Sequence, residues 1–152
     1  MIADSYFCVS GAADKRYSLY RSIMNPKLLK IRNEHQLVSV MNSTKWRELC
    51  NAFEVENGIN PNVRYKRIDS NDIYGFSPIW WNEMFDASPA IEWLDFELVK
   101  REFRGHLITE KEIDISEEIF SILARFNIPY SIEQSYLRIW GYLNQNERPV
   151  FV

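Results

Sequence analysis

Two stretches of this chain repeat one apolar spacing, and that spacing constrains the fold more than any other feature of the sequence. Apolar residues stand at positions i, i+3, i+4 and i+7 in both: Trp46, Leu49, Cys50 and Phe53, then Ile119, Ile122, Leu123 and Phe126. Because an α-helix has about 3.6 residues per turn, each set forms one stripe that must be buried. Asn42 or Ser43 can cap the first helix. Either Asp114 with Glu117 or a cap at Ser116 can begin the second.

Segments of alternating residue character lie between and after these helices and predict β-strands. They are residues 63–68, 91–99, 130–132 and 136–143. Residues two apart on a strand point to the same side, so each strand should turn one face to the helices. That face is apolar and comprises Leu94, Phe96, Leu98, Leu137 and Ile139. The other face is mostly aromatic and charged and comprises Ile91, Trp93, Asp95, Glu97, Tyr136, Arg138, Trp140 and Tyr142.

Clustered strands with few βα alternations favour an α+β domain. We predict an antiparallel β-sheet of about four strands, with helices packed on one face, over residues 42–152. Residues 1–41 are predicted to be an N-terminal helical extension, with a short strand at 5–10, a helix from Asp14 to Asn25, and another from Pro26. The last helix would carry a stripe formed by Leu28, Ile31, His35 and Val38. A chain of 152 residues has the length for a single compact unit.

The stretch 68–99 differs from the rest of the chain in charge and aromatic content. It has seven acidic residues and no Lys or Arg: Asp69, Asp72, Glu83, Asp86, Glu92, Asp95 and Glu97. It also holds Trp80, Trp81 and Trp93, three of the five tryptophans. Residues 1–41, by contrast, carry six basic and three acidic residues. This asymmetry predicts a basic helical arm packed on an acidic body, or else a basic arm kept free for nucleic acid.

The aromatic and charged sheet face would be an unusually large apolar surface for a monomer to leave in water. Two coverings are open at this point. The N-terminal helices of the same chain can cover the face, or a partner can. A second copy of the chain would be one such partner, which makes a homodimer with a self-buried face an alternative.

The sequence lacks common catalytic signatures, and we expect a protein that is not an enzyme and has no cofactor. GxSxG, Walker and GxGxxG motifs are all absent. A thiol nucleophile would need Cys8 or Cys50 beside His35 or His106, and the sequence does not place such a pair together. Two cysteines without CxxC spacing predict reduced thiols and no zinc site.

An acidic cluster is the enzymatic or metal-binding alternative. Glu92, Asp95 and Glu97, with His106 as a further ligand, could gather a divalent cation, because carboxylate oxygens suit such ions. The simpler interpretation is a set of solvated charges on one strand. The sequence has no apolar run near the roughly 20 residues that span a bilayer, and its N-terminus lacks a signal-peptide pattern. We therefore expect a cytoplasmic protein with no membrane contact.

Four short motifs resemble those of a small bacterial domain family of unknown function. They are NSTKW at residues 42–46, IEW at 91–93, IPY at 128–130 and RIWGY at 138–142. The resemblance covers residues 42–142 and implies no catalytic residues. Small bacterial domains of this kind are often suspected to be immunity or antitoxin proteins, and the resemblance implies such a role here.

These observations together predict a module that binds a basic protein, such as a toxin. Tryptophan and tyrosine concentrate interface energy, and a surface of one charge attracts a partner of the opposite charge. A negative body repels phosphates and disfavours nucleic acid. The predicted partner-binding residues are Trp80, Trp81, Glu83, Asp86, Trp93, Asp95, Glu97, Arg138, Trp140 and Tyr142.

Overall fold

The structure is a computed structural model and describes residues 25–55 and 59–152. The predicted strand at 5–10, the predicted helix that begins at Asp14, and Cys8 lie outside these residues. The described elements in chain order are α1 (Pro26–Glu34), β1 (Val38–Ser39), α2 (Ser43–Val55), β2 (Val63–Arg67), α3 (Trp81–Ala87), a 3₁₀ helix (Ser88–Ala90), β3 (Ile91–Glu97), β4 (Val99–Glu102), β5 (Lys111–Asp114), α4 (Ser116–Arg125), β6 (Ser131–Glu133), β7 (Tyr136–Trp140) and β8 (Tyr142–Leu143).

The main sheet has four strands in the order β2-β3-β7-β6, and every neighbouring pair is antiparallel. This confirms the predicted α+β class and sheet. Two further antiparallel pairs, β1 with β8 and β4 with β5, form separate two-stranded sheets. None of the helices in the described ranges is long and apolar enough to cross a membrane.

The hydrophobic core lies between one face of the main sheet and helices α2, α3 and α4. Each helix contributes buried apolar side chains: Trp46, Leu49, Cys50 and Phe53 from α2, Trp81 and Met84 from α3, and Ile119, Ile122 and Leu123 from α4. The sheet contributes Val63, Leu94, Phe96, Leu137 and Ile139. Both helical stripes and the apolar sheet face are therefore confirmed, with Phe126 partly buried at the core's edge.

Helix α2 begins at one of its predicted caps. The backbone N–H of Lys45 donates to Asn42 Oδ1 at 2.8 Å, so Asn42 caps α2. The predicted caps of α4 are wrong, because its N-cap residue is Ile115, and neither Asp114 nor Ser116 takes that position. Asp114 Oδ1 instead accepts from the N–H of Ser116 at 2.9 Å. The helix from Pro26 also forms, but it ends at Glu34 because Gln36 turns into the left-handed region at φ 50°. The predicted stripe is therefore wrong beyond Ile31, since His35 is exposed.

Residues 25–41 pack on the rest of the chain. Leu28 of α1 is buried, and the guanidinium of Arg32 lies 5.0 Å from the ring centre of Tyr142. β1 pairs with β8, and the N–H of Val40 donates to the carbonyl of Gly141 at 3.0 Å. The described part of the basic arm is thus docked on the body.

One predicted sheet position is wrong. Ile91 belongs to the core and not to the aromatic face, because Lys66 pairs with Trp93 whereas Arg67 pairs with Ile91. Between these two pairs β3 has one residue more than β2, Glu92, which forms a β-bulge. A bulge interrupts the alternation of side chains, so Ile91 points to the side opposite to the one that strict alternation predicts.

Candidate functional site

The second face of the main sheet, opposite the helices, is centred on one carboxylate. Arg64, Asp95 and Arg138 stand directly opposite one another on β2, β3 and β7. Arg64 Nε donates to Asp95 Oδ2 at 2.9 Å, while Arg138 donates to Oδ1 from Nε at 2.6 Å and to Oδ2 from Nη2 at 3.0 Å. Asp95 is 0% exposed. Burial alone would lower the pKa of Arg138, but the hydrogen bonds and charge of Asp95 raise it.

Aromatic rings surround the two guanidinium groups of this ion-pair cluster. Arg138 lies 4.0 Å from the ring centre of Trp93, and Arg64 lies 4.7 Å from that of Phe76 and 4.8 Å from that of Tyr136. Such cation–π contacts suit arginine, whose planar group can stack on a ring and still donate to a carboxylate. Each guanidinium group of the cluster therefore makes an ion pair with Asp95 and a cation–π contact with at least one aromatic ring.

Segments of the same chain close this second face. Trp140 Nε1 donates to Ser131 Oγ at 2.9 Å, and the hydroxyl of Tyr142 donates to the carbonyl of Pro89 at 2.7 Å. At the β6 edge, the N–H of Val152 donates to the carbonyl of Tyr130 at 2.9 Å. Trp93, Trp140 and Tyr142 are buried. Since this burial needs no second chain, the reason for expecting a self-buried homodimer face is removed.

Most carboxylates of the acidic stretch are paired with cations from other strands. Asp69 accepts from Arg67 Nε at 2.8 Å, and this hydrogen bond lowers the pKa of Asp69. Glu92 pairs with Lys66, and Glu97 with Arg101 at 2.7 Å. Arg64, Lys66 and Arg67 of β2 thus supply most of these cations, and the stretch does not present seven unneutralised charges.

The ten predicted partner-binding residues fall on two sides of the sheet. Interior positions are occupied by Trp81, Trp93, Asp95, Trp140 and Tyr142. Glu97 and Arg138 are partly buried in ion pairs. Trp80, Glu83 and Asp86 are exposed at helix α3. Trp81 lies in the core, with its ring centre 4.8 Å from Phe53 and 5.8 Å from Phe96. The prediction of one continuous aromatic and acidic surface is therefore wrong, and only the part at α3 is open to a partner.

Two of these exposed residues, Trp80 and Glu83, border a groove of about 360 Å³ between α3 and the edge strand β2. We call it the Trp80 groove; its lining includes Tyr65, Pro78, Ile79, Trp80, Glu83 and Met84. Met84 is buried and forms part of the core, whereas Trp80 is 75% exposed. Glu83 carries the one charge among the lining residues. The lining of the groove thus combines apolar side chains, two aromatic groups and one carboxylate.

Sequence reasoning missed Tyr65 as a member of this site. Tyr65 stands opposite Leu94 in the sheet, so it points to the helical side with Val63. The alternation of β2 carries this signal, because Val63 and Tyr65 are two residues apart. Arg64 lies between them and Lys66 follows, and these two basic residues point to the other face. Burial at an edge strand is partial, which leaves the ring available to the groove.

The acidic-cluster alternative finds no support in the geometry. Glu92, Asp95 and Glu97 each pair with a basic side chain, and two guanidinium groups beside Asp95 would repel a metal cation. No group of three metal-binding side chains occurs within the residues described. His106 lies beyond β4 with its ring centre 5.5 Å from that of Phe103.

A cysteine nucleophile is likewise unsupported at Cys50. Burial, and secondarily the charge of Glu54, raises the pKa of the Cys50 thiol to about 12. The thiolate is the reactive form of cysteine, so this side chain is chemically inert in the folded protein near neutral pH.

A family model described as a family of unknown function, DUF6678, matches residues 28–146. The chain belongs to this family. The match begins within α1, so it includes most of that helix as well as the sheet and its covering helices. No curated protein and no solved structure matches the chain significantly.

Proposed function

We propose that this protein is a non-enzymatic protein-binding module of the immunity or antitoxin type, which inhibits a basic toxin in the cytoplasm. The observation that carries the proposal is the exposure of Trp80 at the mouth of a groove, beside the carboxylate of Glu83. Tryptophans in such positions are common anchors of protein interfaces, because they remove a large area from water at low entropic cost.

The segment of the chain that precedes Trp80 carries further exposed apolar side chains. Ile73 and Tyr74 are exposed in the segment that leads from β2 to α3. Loops that carry exposed apolar residues on a rigid scaffold are frequent binding elements. The Trp80 groove lies on this scaffold between a strand and a helix, so its shape is held by the core rather than by the partner.

The charge of this surface favours a basic partner. Glu83 and Asp86 are both exposed on α3, and carboxylates at the edge of an interface mainly accelerate association with a positively charged protein. Toxins that act on nucleic acids are commonly basic because their substrates are polyanions. A protein that covers such a toxin would need the features found around Trp80.

Affinity capture from the native host tests the proposal. The wild-type protein is compared with a Trp80→Ala/Glu83→Lys variant and with Leu107→Ala, a control that removes another exposed apolar side chain, in the β4–β5 loop. We expect the wild type and the control to capture the same basic protein and the double variant to lose it. Quantitative mass spectrometry measures the capture. Equal capture by all three proteins would show that the surface at Trp80 is not the interface.

Growth assays with the captured protein then distinguish inhibition of a toxin from binding without inhibition. Expressed alone it should slow growth, and co-expression of wild type or Leu107→Ala should restore growth while the Trp80 variant does not. Calorimetry on the purified pair should show a loss of about 2 kcal/mol or more for Trp80→Ala, as at an interface hot spot. A partner that is harmless when expressed alone would contradict the immunity role.

A further inference from the structure

Resting on this proposed function, we infer that the Trp80 groove is a receptor for a single arginine side chain of the partner. The inference specifies the ligand chemistry of the groove. It begins from the lining of the groove, which offers two aromatic groups, Tyr65 and Trp80, one carboxylate, Glu83, and apolar side chains such as Ile79.

Charge and size select the occupant. A volume of about 360 Å³ suits one long side chain rather than a folded element. Glu83 is the only charged group among the lining residues, so the groove attracts a cationic side chain and repels an acidic one. A cation on an aliphatic stem satisfies both parts of the groove, because the stem covers apolar surface while the charge stays near water.

The chain itself contains the same recognition chemistry on the other side of the sheet. There the guanidinium of Arg138 lies 4.0 Å from the ring centre of Trp93 while it donates two hydrogen bonds to Asp95. The lining of the Trp80 groove likewise includes an indole, that of Trp80, and a carboxylate, that of Glu83. Lysine fits less well, because its compact ammonium neither stacks on a ring nor donates in a planar fork.

Nuclear magnetic resonance with a small probe tests this assignment. The probe is N-acetyl-arginine amide, and the control ligand is N-acetyl-citrulline amide, which has nearly the same shape but no charge. The indole N–H signal of Trp80 is identified by its loss in Trp80→Phe. We expect the arginine compound to shift this signal in a saturable way in the millimolar range, and citrulline to leave it in place.

Two glutamate variants test the role of the carboxylate. Glu83→Gln should weaken binding of the arginine probe about two- to fivefold, as expected for an exposed ion pair. Glu118→Gln, which changes an exposed glutamate in the first turn of a different helix, should leave the affinity unchanged. Equal shifts from both probes, or no shift up to about 100 mM arginine amide, would overturn the inference.

These results are distinguishable from failure of the proposed function. If the arginine probe does not bind but Trp80→Ala/Glu83→Lys still loses the protein partner, the interface stands and its arginine pocket is wrong. If the probe binds and the same double variant keeps its partner, the groove is an arginine site and the proposed interface is wrong.

Discussion

The two faces of the main sheet are both largely buried, but different interactions bury them. On the helical face, Leu94, Phe96 and Leu137 lie against apolar side chains of α2, α3 and α4. On the second face, Asp95 is equally buried between Arg64 and Arg138. Apolar contacts are non-directional, so neighbouring side chains can substitute for one another. A buried charge depends on specific partners, so removal of one member leaves the others uncompensated.

Phe96→Ala should give the largest effect, and it measures the helical face. Phe96 is fully buried, and its ring centre lies 5.2 Å from that of Phe53 and 5.8 Å from that of Trp81. We expect the free energy of unfolding to fall by about 3–5 kcal/mol, from lost burial and the cavity left behind. Urea denaturation measures it. The same substitution at exposed Phe103 should change stability by less than about 0.5 kcal/mol, and equal effects at both sites would contradict the assigned core.

Asp95→Asn tests the second face. The change leaves two guanidinium groups without their shared carboxylate, and breaking a buried pair usually costs about 3–5 kcal/mol. We expect the lower part of this range, because Arg64 and Arg138 keep some access to water. Asp72→Asn, at an exposed position, is the control and should have little effect. Unfolding of both variants in urea provides the comparison, and a neutral Asp95→Asn would mean that the cluster does not hold the face closed.

A triple variant sharpens the difference between the faces. Replacing the whole cluster with Arg64→Met, Asp95→Leu and Arg138→Met removes all three charges at once. Exchange of a buried ion-pair triad for apolar residues is often neutral or stabilising by about 1–4 kcal/mol. We therefore expect the triple variant to be more stable in urea than Asp95→Asn alone. A further loss of stability would show that the charges contribute more than they cost.

The helical face could be predicted from sequence because its signal is periodic. Leu94, Phe96, Leu137 and Ile139 alternate with polar or aromatic residues along their strands, and the helices carry apolar stripes that can cover them. The local pattern around each residue is therefore enough to predict that it faces the core. Alternation also placed Asp95 and Arg138 on the second face, but it gave no signal for how that face is buried. The partners of Asp95 lie on β2 and β7, and only the pairing of strands brings the three together. The acidic stretch therefore suggested a charged surface, although the fold neutralises most of it.

The candidate site shows the same limit. Trp80 is exposed and its neighbour Trp81 is buried because of how α3 packs against the sheet. Both are tryptophans, so residue type alone cannot distinguish them. Too few residues lie in α3 for a periodic pattern to separate them. The β4–β5 hairpin was also not predicted, because its strands are mostly exposed and mixed in charge. Apolar periodicity in a sequence reveals elements that have a buried face. The β4–β5 hairpin has few buried residues, and α3 is too short to show a period.

Gly141→Ala probes the point where the two faces adjoin. A Cβ atom at Gly141 would lie 2.1 Å from the carbonyl oxygen of Ile91, in the bulge of β3, and the backbone there cannot move aside as a side chain could. We expect a loss of about 1–3 kcal/mol, as for other overpacked sites. Gly75→Ala, where a Cβ would meet nothing within 4 Å, is the matched control. Thermal unfolding of both proteins gives the comparison, and equal melting temperatures would contradict the close approach.

Glu147→Gln should give the smallest effect and depends on pH. Burial, and then the charge of Glu92, raises the pKa of Glu147, although Arg138 and Lys66 oppose the shift. A carboxyl whose pKa is higher in the folded state resists ionisation there. Its contribution to stability is complete below its ordinary pKa, near 4.5, and is lost as pH rises through the raised value.

Glutamine stays neutral at every pH, so Glu147→Gln should match wild-type stability near pH 4 and exceed it slightly near pH 7. Urea denaturation at the two pH values measures this difference. Glu118→Gln, which removes an exposed charge, should not reproduce the pH-dependent gain. If Glu147→Gln were less stable at pH 7, the attraction of Arg138 and Lys66 would outweigh burial. The ionised carboxylate would then be a member of the cluster that closes the second face.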